Sequence, residues 1–178
     1  MISHTRDKLL EARYFLECMK EKHSNPDAFK FNLSAFLAAA RSVTLFMQKQ
    51  FDKAPGFKEW YANKQSGMRS DEIMKLLHRK RVTTIHRESL RPHPHIVARI
   101  DYEVIVNESI SIVTAYKTTE KSEWESAATG PVPVKTKVIT EWRWYFNEVP
   151  EKDIVTICEE HIVKLETLVA ECEFQFTS

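Results

Sequence analysis

The segment Arg79-Lys80-Arg81-Val82-Thr83-Thr84-Ile85-His86 joins phosphate ligands to a proton carrier. A histidine exchanges its proton near neutral pH. An arginine holds negative charge that builds on phosphate oxygens. Together they could act on a phosphodiester, one moving the proton and the other steadying the oxygens. Arg81 and His86 are five positions apart, about 500° along an ideal helix, so they point about 140° apart. Arg79 and His86 are seven apart, about 700°, and are nearly aligned. A continuous helix therefore favours Arg79. A helix that loosens at the β-branched pair Thr83-Thr84 brings Arg81 and His86 together. The structural alternative is a helix-end His86 in favourable contact with the helix dipole, with the arginines paired to carboxylates of the last helix.

The chain of 178 residues has a net charge of +1, unevenly spread. From Lys75 to His95 it carries Lys75, Arg79, Lys80, Arg81, Arg87 and Arg91 with four histidines, against Glu88. From Glu151 to Glu173 it carries Glu151, Asp153, Glu159, Glu160, Glu166, Glu171 and Glu173 against Lys152 and Lys164. The basic stretch suits nucleic acid, and equally a solvated or internally paired face. Only 3 glycines are present, and neither GxGxxG nor GxxxxGK[ST] occurs, so no nucleotide cofactor loop is expected. Cys18, Cys158 and Cys172 lack CxxC spacing, which argues against a disulfide framework or zinc knuckle and for a reducing cytoplasm. No apolar run has the length of a membrane span, and the first residues lack the apolar core of a signal peptide.

The elements that must position these residues follow from periodicity. Leu9, Ala12, Leu16 and Met19 recur at helical spacing, widened by Phe15 and Cys18, over about 5–22. Asn25-Pro26-Asp27 opens a long helix with Pro in its first turn. Its stripe is Phe29, Leu33, Phe36, Leu37, Ala40, Val43, Met47 and Phe51. Pro55-Gly56 ends it, a short helix spans about 57–64, and Ser66-Gly67 is the next break. Ser70 caps a fourth helix with Asp71 and Glu72 in its first turn and Ile73, Met74, Leu77 and Ile85 on its apolar side. After Pro92 the period becomes two: 100–106, 110–114 and 134–146 read as strands, with a turn at Asn107-Glu108 and a polar loop over 118–130. Ile154, Ile157, Cys158, Ile162, Leu165, Leu168 and Val169 then mark a closing helix. The expected class is α+β, mainly α. A single domain, 1–178, holds an antiparallel helical bundle over 5–90, a three-stranded antiparallel β appendage over 92–147 and a closing helix over 150–173.

The Ala-rich long helix, Phe29 to Val43, followed by Arg81, four residues and His86 on a capped helix, resembles the HEPN superfamily over roughly residues 5–90. Arg79, six residues and His86 also satisfies the family's loose spacing. Val82 follows Arg81, where many members carry a polar residue. The resemblance implies metal-independent cleavage of RNA at a two-fold axis. There Arg81 and His86 are catalytic, Arg79, Lys80 and Arg87 guide the RNA backbone, and the protein is a homodimer. The small residues Ala35, Ala38, Ala39 and Ala40 would let another helix approach. The alternative is a non-catalytic interaction or RNA-binding module of a bacterial defence or stress system, with a cognate antitoxin as partner and no membrane role.

Other chemistry is thinner. His93-Pro94-His95 could share a face of an extended segment, but no nearby Cys or carboxylate pair completes a metal set. Tyr102, Trp142, Trp144 and Tyr145 could stack bases; alternating aromatics on a strand more often form core or a dimer interface. Ser34 and Ser42 have no acid-base partner, so nucleophilic catalysis is not expected.

Overall fold

The computed structural model describes residues 3–86, 90–106, 109–117 and 135–177, with residues 85–86, 100–117 and 135–138 described at most by their backbone. The order is α1 (His4–Glu21), α2 (Pro26–Phe51), α3 (Phe57–Ser70), α4 (Glu72–His86), β1 (His93–Val106), β2 (Ser109–Lys117), β3 (Lys135–Tyr145) and α5 (Ile154–Phe176). The class is α+β, mainly α. Two compact units divide the chain: Met1–His93 with Tyr145–Ser178, and Pro94–Trp144.

The first unit is helical. In α1, Ser3 accepts the Arg6 amide as N-cap, and Leu9, Ala12, Leu16 and Met19 are buried. In α2, the Asn25 side chain accepts the Ala28 amide and Pro26 opens the first turn. Every residue of the α2 stripe is buried, Phe29, Leu33, Phe36, Val43 and Met47 completely. The two helices pair as a hairpin, tied at one end where Thr5 donates to Gln50 Oε1 at 2.9 Å. All seven residues of the α5 stripe are buried, with Cys172 in addition, and α5 packs on α1, α2 and α4. Ala39 and Ala40 lie inside this bundle, so part of the Ala-rich stretch serves internal packing and not a second copy.

Two boundaries differ from expectation. α3 does not stop at residue 64 but runs through Ser66-Gly67 to Ser70. A mid-helix glycine costs only about 1 kcal/mol relative to Ala, and burial of Phe57 and Tyr61 at the other end of α3 holds the helix in place. Ser70 is not the cap of α4; its hydroxyl donates back to the Gly67 carbonyl at 2.8 Å. Asp71 takes that role, accepting the Met74 amide at 2.9 Å. Gly56 precedes α3 at φ 79°, a left-handed conformation that glycine adopts without a Cβ clash.

The second unit carries the strands. β1 and β2 pair antiparallel, with Ile100 opposite Ala115 and Tyr102 opposite Val113, and the strand order is β2-β1-β3. β1 begins at His93, so His93-Pro94-His95 lies in a strand. The turn expected at Asn107-Glu108 and the loop at 118–130 fall outside the described residues.

Candidate anion-binding cleft

Within the helical unit, four helices each turn one face toward a cleft of 380 Å³. α4 contributes Met74, His78 and Arg81, spaced four and three apart, with Lys75 and Leu77 beside them. α3 contributes Tyr61, Gln65 and Met68 at the same spacing, with Arg69 at the rim. α2 presents Leu37, Ala40, Arg41 and Thr44, and α5 presents His161 and Leu165. The side chains are held by their elements. Burial of Leu76 and Leu77 seats α4, and the Asp71 cap fixes its start. Gln48 donates to the Tyr61 hydroxyl at 3.1 Å, tying α3 to α2.

Arg41, Arg69, Lys75 and Arg81 line the cleft, and among the described residues no Asp or Glu lines it. Lys75 reaches Glu72 at 2.7 Å, and Arg41 donates to the Thr44 hydroxyl at 2.9 Å. Arg41, Arg69 and Arg81 make no ion pair among the described residues. The Arg81 Nε is buried and has no hydrogen-bond partner. A buried donor left unmet is costly, and neighbouring like charges raise that cost. The arrangement is complementary to a bound anion, which would satisfy both.

The acidic last helix does not supply that anion. Its carboxylates are engaged by other cations: Glu159 by Lys20 at 2.8 Å, Glu160 by Lys152 at 2.6 Å, and Glu166, Glu171 and Glu173 by Arg13, Lys64 and Arg6. The expected pairing between these carboxylates and the arginines of α4 is therefore not formed. Lys164 of α5 instead pairs with Asp71 at the start of α4. Desolvation pushes the Asp71 carboxyl up, but the Lys164 contact and the Met74 amide outweigh it and hold it below its ordinary value.

His161 forms the inner wall. Its Nδ1 is buried with no hydrogen bond, and its ring meets Phe36 edge-on at 6.4 Å. Burial, aided by the charge on Lys164 and opposed by Asp71, brings its pKa down to about 4. The imidazole is thus neutral at pH 7, and offers one donor and one acceptor.

The segment that opened the sequence reading is divided by the structure. Arg81 lines the cleft. Lys80 pairs with Glu148 at 2.8 Å and lies over the Phe146 ring at 4.8 Å, a fold contact. Arg79 is exposed. α4 stays helical through Thr83-Thr84, where the Thr84 hydroxyl donates to the Lys80 carbonyl at 2.7 Å. The loosening that would align Arg81 with His86 does not occur, and positions 81 and 86 remain about 140° apart around the axis. His86 ends α4; its side chain and the whole of Arg87 lie outside the description. His93 stacks on Tyr145 at 5.6 Å, and Trp142 stacks on Trp144 at 5.9 Å, with Trp144 buried.

Sequence reasoning missed Arg41, Arg69, His78 and His161. Two of them left a trace. Arg41 interrupts an otherwise apolar run on α2, and His161 sits four residues from both Ile157 and Leu165 on the buried face of α5.

A mainly helical protein with an uncompensated basic cleft between its helices is the class that fold and site define. The chain belongs to the bacteriophage lambda protein ea47 family, which matches residues 3–176. Protein ea47 of Escherichia phage lambda is 28% identical over 112 residues, covering 58% of this chain and 27% of that protein. The match thus spans about a quarter of that relative's length. No solved structure matches the chain. The family match overturns the HEPN resemblance: it runs through the bundle, the strands and the closing helix together, whereas the resemblance rested on one Ala-rich helix and a short Arg-His spacing. Among the described residues no helix is long and apolar enough to cross a membrane.

Proposed function

We propose that the helical unit is a binding module whose cleft takes a phosphate-bearing ligand. One observation carries this reading: Arg41, Arg69 and Arg81 line one cleft, and among the described residues no carboxylate lines it with them. Guanidinium groups suit phosphate because their planar forks meet its oxygens two at a time. Binding is favoured over catalysis because His161, the enclosed one of the cleft's two histidines, with a pKa of about 4, is a weak proton carrier at pH 7.

Calorimetric titration of inorganic phosphate and pyrophosphate at low salt tests the reading. Binding that weakens with salt and is lost in Arg41→Gln and Arg81→Gln is expected, since exposed charge attraction is screened. Absence of binding by either anion at low salt overturns it.

A second reading, metal-independent cleavage of RNA by Arg81 and His86, is supported by the Arg81 Nε, which has no hydrogen-bond partner. It requires RNA cleavage by wild type that survives EDTA and is lost in His86→Ala. The homodimer and a cognate protein partner belong with that reading, and light scattering at micromolar concentration decides the former.

A further inference from the structure

We infer that the ligand is a phosphomonoester on an aromatic, hydrogen-bonding body, the chemistry of a mononucleotide, with the phosphate at Arg41, Arg69 and Arg81 and the body against His161. This rests on the phosphate-binding reading and narrows it. Inorganic phosphate would satisfy the arginines but leave the rest of the cleft unused. At 380 Å³ the cleft lies in the range of about 300–1,000 Å³ typical of small-molecule sites.

Its remaining walls define the body. Leu37, Leu77 and Leu165 supply apolar lining, and Met68 and Met74 line the cleft with them. Methionine sulfur contacts aromatic rings favourably and adapts to their shape. His161 adds the polar requirement. A buried, unpaired Nδ1 on a neutral ring asks for one uncharged polar atom. A heteroaromatic base supplies both a flat apolar face and such atoms; a simple carboxylate or a sugar phosphate supplies no flat face. The charge count agrees. Three guanidiniums without an ion pair among the described residues match a dianionic phosphate better than a single carboxylate.

Two sources share this chemistry, a free nucleotide and the phosphorylated end of a strand. Titration of the full chain with inorganic phosphate, the nucleoside 5′-monophosphates, the matching nucleosides, and a short single strand with and without a 5′-phosphate separates them. At least one monophosphate should bind about tenfold more tightly than inorganic phosphate, from burial of its base. The nucleosides should bind at least about tenfold more weakly than their monophosphates. His161→Phe keeps the ring and removes the nitrogens; it should weaken monophosphate binding about tenfold and leave inorganic phosphate binding unchanged. His161→Gln should restore part of the loss. Preference for the 5′-phosphorylated strand over every monophosphate supports the same chemistry and assigns its source to a strand end. If inorganic phosphate binds and no monophosphate or phosphorylated strand binds better, this inference fails while the phosphate reading stands. If no phosphate compound binds, both fall.

Discussion

Arg81→Leu should stabilise the ligand-free protein. The half-buried arginine encloses its Nε without a partner, and an unmet buried donor costs about 1–3 kcal/mol. The lower end applies, because Arg81 is only half-buried and lines the cleft. Repulsion from Arg41 and Arg69 adds a part that salt screens. Leucine retains much of the packing of the arginine stem. The balance is a gain of about 1 kcal/mol, or about 2–4 °C in Tm for a chain of this size. Thermal unfolding followed by circular dichroism measures it, at low salt and again at high salt, where the gain should shrink. Saturating phosphate ligand should reverse the order: wild type gains about 2.7 kcal/mol at a hundred times Kd and the variant does not. Destabilisation of the ligand-free variant by about 1 kcal/mol or more would refute the reasoning, because it would give the guanidinium a structural partner.

The remaining expectations concern the frame. Phe36→Ala, at a fully buried residue on α2, should cost about 3–5 kcal/mol, read by urea denaturation; a cost near zero would remove α2 from the centre of the core. Asp71→Ala deletes both the α4 cap and the Lys164 contact and should cost about 1–2 kcal/mol, while Asp71→Asn, which keeps the cap, should lose less. The carboxyls of Asp71, Glu148 and Glu173 all lie below their ordinary values, the last two chiefly through the Lys80 and Arg6 contacts. A depressed folded pKa gives stability that is complete above the unfolded value and lost as pH falls through the folded one. His161, kept neutral by burial with a folded value of about 4, adds stability that is complete above the ordinary histidine value. Unfolding free energy should therefore begin to decline below about pH 6.5 and fall further below about pH 4 as the carboxyls protonate; a free energy that stays flat from neutrality to about pH 5 would show that His161 is not held neutral in the fold.

The helices with continuous apolar stripes were legible because burial selects the same face at every turn. Leu9 to Met19, Phe29 to Phe51 and Ile154 to Val169 were placed correctly in the core. Punctuation was misread where one residue had two uses. Ser70 looked like a cap, yet it closes α3 and leaves the cap to Asp71. Gly67 looked like a break, yet its position faces open space, with nothing within 4 Å of an added Cβ, so the helix carries it at small cost. On α4, Leu76 is buried while Ile73 and Met74 are half-buried; three helices pack against α4, and no single stripe describes a helix contacted from several sides.

The site was legible only in one quarter, since Arg81 was read from α4 and Arg41, Arg69 and His161 come from three other helices. Local spacing cannot register a convergence that tertiary packing creates. What the sequence did hold was the charge balance, and its meaning emerges from the pairings. With 26 basic and 25 acidic residues, the chain has carboxylates enough to neutralise a cleft. It places five of them on α5, each matched to a cation, and it places Asp71 beside Lys164 at the edge of α4. Among the described residues none lines the cleft, which three arginines share. Packing alone gives no reason to keep that arrangement, because uncharged residues of similar size would fill the same space without the repulsion. A ligand that carries the missing negative charge does give a reason, and stability lost to such a cluster in the free protein is what a binding site of this kind requires.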